Sequence, residues 1–322
     1  MIRTFLRLLL ASSAVLPLCS TLAAEPFPNR PVRLIVPFPA GGATDSIVRL
    51  VAQKLSEKWQ QQVIVDNRPG AGTIIATDIA AKAPADGYTL LVVTVAFAVN
   101  PALYKKLPYD TEKDFTPVTL LSSAPNVLVV NPSVPAATAA EFVRYARAHP
   151  KAVNFGSAGN GTSNHLAGEM LRTMTGADIV HVPYKGDAPA ITDLIGGQIQ
   201  MLFIGWAPVS QHVKAGRLRA LAVTSAAPSD LVPGLPSLSD AVPGFESSVW
   251  NGIVVPARTP PELVAKLHAD ISEILSQPDL KEKIQSMGFE PVGNAPGQFR
   301  DFLHAENKRL SKVVLDADVT VD

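Results

Sequence analysis

Apolar and polar positions along this chain switch repeatedly between two periods. Residues 32–38, VRLIVPF, form a nearly unbroken apolar run, the pattern of a strand buried on both faces. Over 46–59, SIVRLVAQKLSEKW, the period becomes helical and puts Ile47, Val48, Val51 and Leu55 on one face. A strand at 62–67, a helix at 73–83 and a strand at 89–94 follow. Strand, helix, strand, helix, strand argues for a parallel sheet with right-handed crossovers.

The same grammar restarts near residue 126. Strands at 126–131, 152–158, 178–184, 199–205 and 217–225 alternate with helices at 139–149, 163–176 and 188–198. Two stretches with few helix signals, 115–132 and 226–256, are the expected crossings between the halves. Amphipathic helices at 261–277, 279–288 and 296–315 then return to the first half, with Gly288 as a C-cap. The expected fold class is therefore α/β, in two lobes that can hinge over a cleft. Residues 25–124 and 249–322 form lobe 1, and 125–248 form lobe 2.

The first residues depart from this pattern. Arg3 and Arg7 flank a short apolar run, and small residues at Thr21 and Ala23 follow, as in a secretory signal peptide over 1–24. Cys19 is the single cysteine and would leave with it, so no thiol chemistry is expected in the mature protein. Basic and acidic residues balance at 28 each; without Arg3 and Arg7 the net charge is −2. That excludes the large basic field by which nucleic acid or acidic lipid is attracted.

Three glycine-bearing loops stand where a strand hands over to a helix: PAGGATDS (39–46), RPGAGTI (68–74) and SAGNGTSN (157–164). Ligands of parallel sheets sit at such places, where helix starts offer unpaired N–H groups. None of the loops carries the lysine of a Walker motif or completes G-x-G-x-x-G, so a nucleotide is not indicated. Glycines that merely make tight turns remain the alternative. Asp45 would repel a polyanion and is expected to turn back on its own loop, leaving amides for a weaker anion such as a carboxylate. A micromolar complex needs about 8 kcal/mol. Four to six donors at roughly 1.5–3 kcal/mol each would supply it without a fixed cation.

Other chemistry is sparse. Six histidines are dispersed without metal-ligand spacing, so no metal and no cofactor are expected. His165 opens the helix after the third loop and stands equally as a ligand contact or a supporting residue. Ser157 has no marked base; an exported α/β hydrolase using Ser157 and His165 is the main competing class. Lys185 reaches either the cleft or solvent. Trp206 walls the pocket or packs in the core, and Trp250 is expected in the core or at a crossing.

The ordered set PNRPVRLIVPFPAGGATD, VDNRPGAGTIIATDIAAKAPADGYTLL, NPALYKKLPYDTEKDFTPVTLL, NFGSAGNGTSNHLAGEML, HVPYKGDAPAITDLIGGQIQMLF and GRLRALAVTS resembles the Bug family of periplasmic solute-binding proteins of tripartite tricarboxylate transporters. The likeness runs from about residue 28 to the C-terminal helices. It implies a Venus-flytrap fold, no catalysis, a periplasmic monomer, a small carboxylate ligand and membrane permease subunits as partners. A sensor presenting its ligand to a membrane receptor is also compatible. Carried onto this chain, the pincer is Phe38, Ala40, Gly41, Gly42 and Thr44 facing Ser157, Gly161, Thr162, Ser163 and His165. Three places depart from the family pattern: IGWAP directly after QMLF, Ala40 in the first loop, and TVAFAVNPALY without a Ser/Thr-rich start. These favour a longer, less polar or aromatic acid over citrate.

Overall fold

The computed structural model describes residues 27–319. The expected signal peptide and Cys19 lie outside that range. In chain order the first half holds β1 (Val32–Val36), α1 (Ala43–Trp59), β2 (Val63–Asn67), α2 (Ile74–Ala81), β3 (Thr89–Thr94), α3 (Val95–Leu103) and β4 (Phe115–Pro125). The second half holds β5 (Val127–Val130), α4 (Ala139–Ala148), β6 (Asn154–Ser157), α5 (Ser163–Thr175), β7 (Val180–Pro183), α6 (Asp187–Ile195), β8 (Met201–Ile204), α7 (Ala207–Lys214) and β9 (Arg219–Val223). The chain returns through β10 (Ser248–Pro256), α8 (Pro261–Leu275), α9 (Pro278–Ser286), β11 (Glu290–Pro291) and α10 (Pro296–Asp316).

Two sheets result. The first has the order β11-β4-β10-β3-β1-β2 and the second β7-β6-β8-β5-β9. β1 lies parallel to β2 and β3, and β6 parallel to β7 and β8. In each sheet one antiparallel strand is inserted next to this trio: β10 in the first, β5 in the second. Each inserted strand is the one that follows a passage from the other sheet. The two halves thus share one topology, and each crossing ends by pairing into the sheet it enters.

Pleating explains how the first sheet is covered on both sides. Val32, Leu34 and Val36 point toward α1 and α8, meeting Ile47, Val51, Leu267 and Ile271. Ile35, Leu91 and Val93 point the other way, toward α2, α3 and α10. Trp250 of β10 is fully buried there and donates its indole N–H to Glu306 Oε2 at 2.9 Å. Gly288 sits just beyond α9 with φ +79, where glycine carries no Cβ penalty.

The crossings lie side by side. β4 and β10 pair antiparallel, with Ser248 opposite Pro125 at the end nearest the second sheet. Thr224 ties the two passages together, since Asn126 N donates to Thr224 Oγ1 at 2.8 Å and the Thr224 hydroxyl donates to Ser247 O at 2.6 Å. Away from this hinge the halves also touch through α5: Leu166 joins the apolar cluster of α3 and α10, and Arg172 donates to Ala317 O.

Candidate functional site

A cavity of about 230 Å³ opens between the halves. From the first half it is lined by the β1–α1 loop, by Thr94 and Val95 at the β3–α3 junction, and by Val249 of β10. The second half contributes Ala158, Thr162, Ser163 and Asn164 at the β6–α5 junction, and Lys185–Pro189 at the β7–α6 junction. Each junction is a helix start. The N-caps of α1, α3, α5 and α6 are Gly42, Thr94, Thr162 and Gly186, and none makes a side-chain capping bond. Four helix N-termini, with their unpaired amides and partial positive charge, border one space.

The first loop is held in shape by Asp45, which is 2% exposed. Its Oδ2 accepts from Gly41 N at 2.9 Å and Arg49 Nε at 2.8 Å, and its Oδ1 from Asn67 Nδ2 at 2.8 Å. Burial pushes this carboxyl up, but the bonds from Arg49, Gly41 and Asn67 outweigh it and hold the pKa below the usual range. The acid is therefore spent within its own loop. Among the described residues the amides of Ala43 and Thr44 make no bond to another protein group. The same is true of Ser163 and Asn164 in the facing loop.

Two of the three threonine hydroxyls at the cavity, those of Thr44 and Thr162, are also committed. Thr44 Oγ1 donates to Asn251 Oδ1 at 2.8 Å, so its proton points toward β10. Thr162 Oγ1 lies 2.5 Å from both Gly159 O and Asn164 Oδ1. Asn164, 4% exposed, is the hub of the second loop: Oδ1 accepts from Ala158 N at 3.1 Å, and Nδ2 donates to Asp187 Oδ1 at 3.0 Å. The donors at the cavity are main-chain amides, the Thr94 and Ser163 hydroxyls and the Lys185 ammonium; a Cβ on Gly41 or Gly42 would meet nothing within 4 Å.

Of the residues expected from sequence, Phe38, Ala40, Gly41, Gly42, Thr44, Thr162, Ser163 and Lys185 line this cavity. Four others stand outside it. Ser157 is fully buried at the end of β6, with Oγ 2.6 Å from His181 Nε2. His165 is 2% exposed, accepts from Gly161 N at 3.0 Å and stacks on His181 at 4.0 Å. Both imidazoles are kept neutral by burial: His165 falls to about 3, with His181 and Arg172 adding to the effect, and His181 to about 4. These groups brace the loop from behind, and Ser157 is closed off from any molecule in the cavity.

Gly161 has φ +75, and a Cβ there would stand 2.8 Å from Leu103 Cδ1, so it marks a close approach of the second loop to α3. Trp206 lies at a second contact between the halves, its Cβ 3.3 Å from where a Gly288 Cβ would stand. The RPGAGTI loop also stands apart; Gly72 there meets Tyr104 and Asn160 O. Sequence reading missed Thr94, Val95, Asn164, Asp187 and Val249. A signal for Asp187 was present, because Gly186 stands at a strand-to-helix junction like those of the other loops.

Two α/β lobes of equal topology, joined by paired crossings and closing on a cavity bordered by helix N-termini, define a solute-binding receptor of the periplasmic type. The chain belongs to the tripartite tricarboxylate transporter family receptors, whose profile it matches over residues 47–318. It is 36% identical to protein BugT of Bordetella pertussis over 92% of both chains. Among solved structures, R. palustris Rpa4515 with adipate superposes with a TM-score of 0.87 at 36% identity, covering 92% of this chain and all of that one. MatC from Rhodopseudomonas palustris with bound malate gives 0.83 at 31% identity, covering 89% of this chain and all of that one.

Proposed function

We propose that this receptor captures a small carboxylate between its lobes and delivers it to the membrane permease subunits of a tripartite transporter. It acts as an exported monomer that binds without catalysing. The observation that carries the reading is the convergence of four uncapped helix N-termini on one cavity, with the Thr44 and Thr162 protons turned away from it. Such a site offers amides to an anion and asks for no metal or buried cation. The adipate and malate of the two related structures are acids of the same class.

In this reading Ala40, Gly42 and Thr44 present amides from one lobe and Ser163 from the other, while Gly41 and Thr162, whose own amides are bonded to Asp45 Oδ2 and Gly159 O, shape the two loops. Phe38 floors the site and Lys185 meets the distal end of the ligand. Ser157, Gly161 and His165 act through loop position, and Trp206 through the contact between lobes. Phe38, Val95, Pro189 and Val249 add an apolar lining that suits a ligand with a hydrocarbon body better than citrate.

Thermal-shift screening of mono-, di- and tricarboxylates, aromatic acids and amino acids, followed by calorimetry of the hits, tests this. A carboxylate binding at micromolar Kd or tighter, with its neutral amide binding at least tenfold more weakly, is the expected result. Stabilisation by amides or sugars but by no carboxylate would contradict it.

A further inference from the structure

One group in the cavity does not fit a plain anion. Asp187, the first residue of α6, lines it together with Lys185 and Ser163. Its Oδ1 is pinned by Asn164 Nδ2 at 3.0 Å, while no described residue bonds its Oδ2. Lys185 lines the same cavity, yet the pair form no ion pair. The anchor is rigid, because Asn164 is itself buried and fixed by Ala158 N and the Thr162 hydroxyl. Burial pushes the Asp187 carboxyl above its ordinary range against the pull of Asn164; ionised, an acid fixed on one oxygen at a ligand cavity repels a second carboxylate brought near it and attracts an ammonium, whose charge in turn holds it ionised.

Resting on the carboxylate reading above, we infer that Asp187 makes this receptor select amino acids: acids that carry an ammonium group beside the carboxylate. The carboxylate takes the amides of the β1–α1 loop, which hold no acidic group free after Asp45 has turned back on Gly41. The ammonium takes the unbonded oxygen of Asp187. Sequence placed an acid in YKGDAP, and only the cavity gives it this meaning.

Calorimetry with matched pairs tests the inference: succinate against aspartate, glutarate against glutamate, and 3-phenylpropionate against phenylalanine. Wild-type protein is expected to bind the amino member of at least one pair tenfold or more tightly than its plain partner. Asp187→Asn keeps an oxygen for Asn164 and is expected to bring that ratio to about one while plain acids still bind. Asp187→Ser, checked by thermal unfolding, guards against a fold effect in a single variant. Plain acids binding as tightly as amino acids, or a preference that survives both variants, would overturn the inference. So would dicarboxylate binding tighter than amino-acid binding with uptake of a proton, since Asp187 would then be a neutral donor. If no acid of either kind binds wild type, the carboxylate reading itself has failed.

Discussion

Gly41 N donates to Asp45 Oδ2 across four residues at 2.9 Å, and this single bond decides what the first loop can hold. It removes a negative charge from the cavity and fixes the amides that follow it. Asp45→Ala would leave Gly41 N and Arg49 Nε without their acceptor and take from Asn67 Nδ2 one of its two, the other being Phe38 O. The expected result is a loss of about 1–3 kcal/mol in urea unfolding, with carboxylate affinity down at least tenfold. Unchanged affinity with lowered stability would show that the loop does not depend on this acid.

Thr44 and Asn251 act as one unit, because the hydroxyl proton of the first points at the second. Thr44→Val and Asn251→Ala should each weaken binding severalfold through loop placement. The double variant should be no worse than the poorer single one, giving a coupling of about 1 kcal/mol in a double-mutant cycle. Full additivity would mean that Thr44 meets the ligand directly.

Gly161→Ala tests the approach of the second loop to α3. Both Gly161 and Gly176 have positive φ, but a Cβ at Gly176 would meet nothing within 4 Å. Gly176→Ala should cost about 1–2 kcal/mol from backbone strain alone. Gly161→Ala should cost more, since Leu103 must also move, and should reduce affinity as well. Equal costs for the two would argue against a contact between lobes at this place.

Acid should loosen the second loop through its histidines. The folded protein keeps His165 and His181 neutral to about 3 and about 4, whereas the unfolded chain protonates near the ordinary value of 6.5. Protons therefore bind the unfolded chain first as pH falls, and stability drops below 6.5. Each imidazole contributes a loss of about 1 kcal/mol between pH 6.5 and 5.5. Glu169, whose carboxyl is raised by burial against the pull of Arg172, acts in the opposite sense at lower pH. Urea midpoints across this range should flatten in His165→Gln, His181→Gln protein; an unchanged slope would place the titration elsewhere.

The fold was legible for most elements with one polar face, although α7, with Gln211 and Lys214 outward, was not read as a helix. α1 showed its buried Ile47, Val48, Val51 and Leu55 because Arg49, Gln53 and Glu57 face outward. α3 was missed: nearly every residue from Val95 to Leu103 is buried, so no helical period marks it, and Pro101 suggests a break. β10 was expected only as a crossing, since pairing with strands from before the excursion depends on distant contacts. At the site, spacing located the loops but not their facing. Ser157 and Ser163 belong to one glycine-rich stretch, and the chain turns between them through Gly159 and Gly161, with φ +133 and +75, so that one faces β7 and the other the cavity. Asn164 and Asp187 read as ordinary first-turn residues until Asn164 Nδ2 is seen to bridge two helix starts.

Main-chain amides of opposite lobes should grip the carboxylate, and a crystal structure with the tightest-binding acid will show whether they do. Its carboxylate oxygens are expected in hydrogen bonds, direct or through one water, to amides at Gly42–Thr44 and at Ser163–Asn164. A ligand whose carboxylate is paired chiefly with Lys185 or an arginine, with both sets of amides left to solvent, would contradict it.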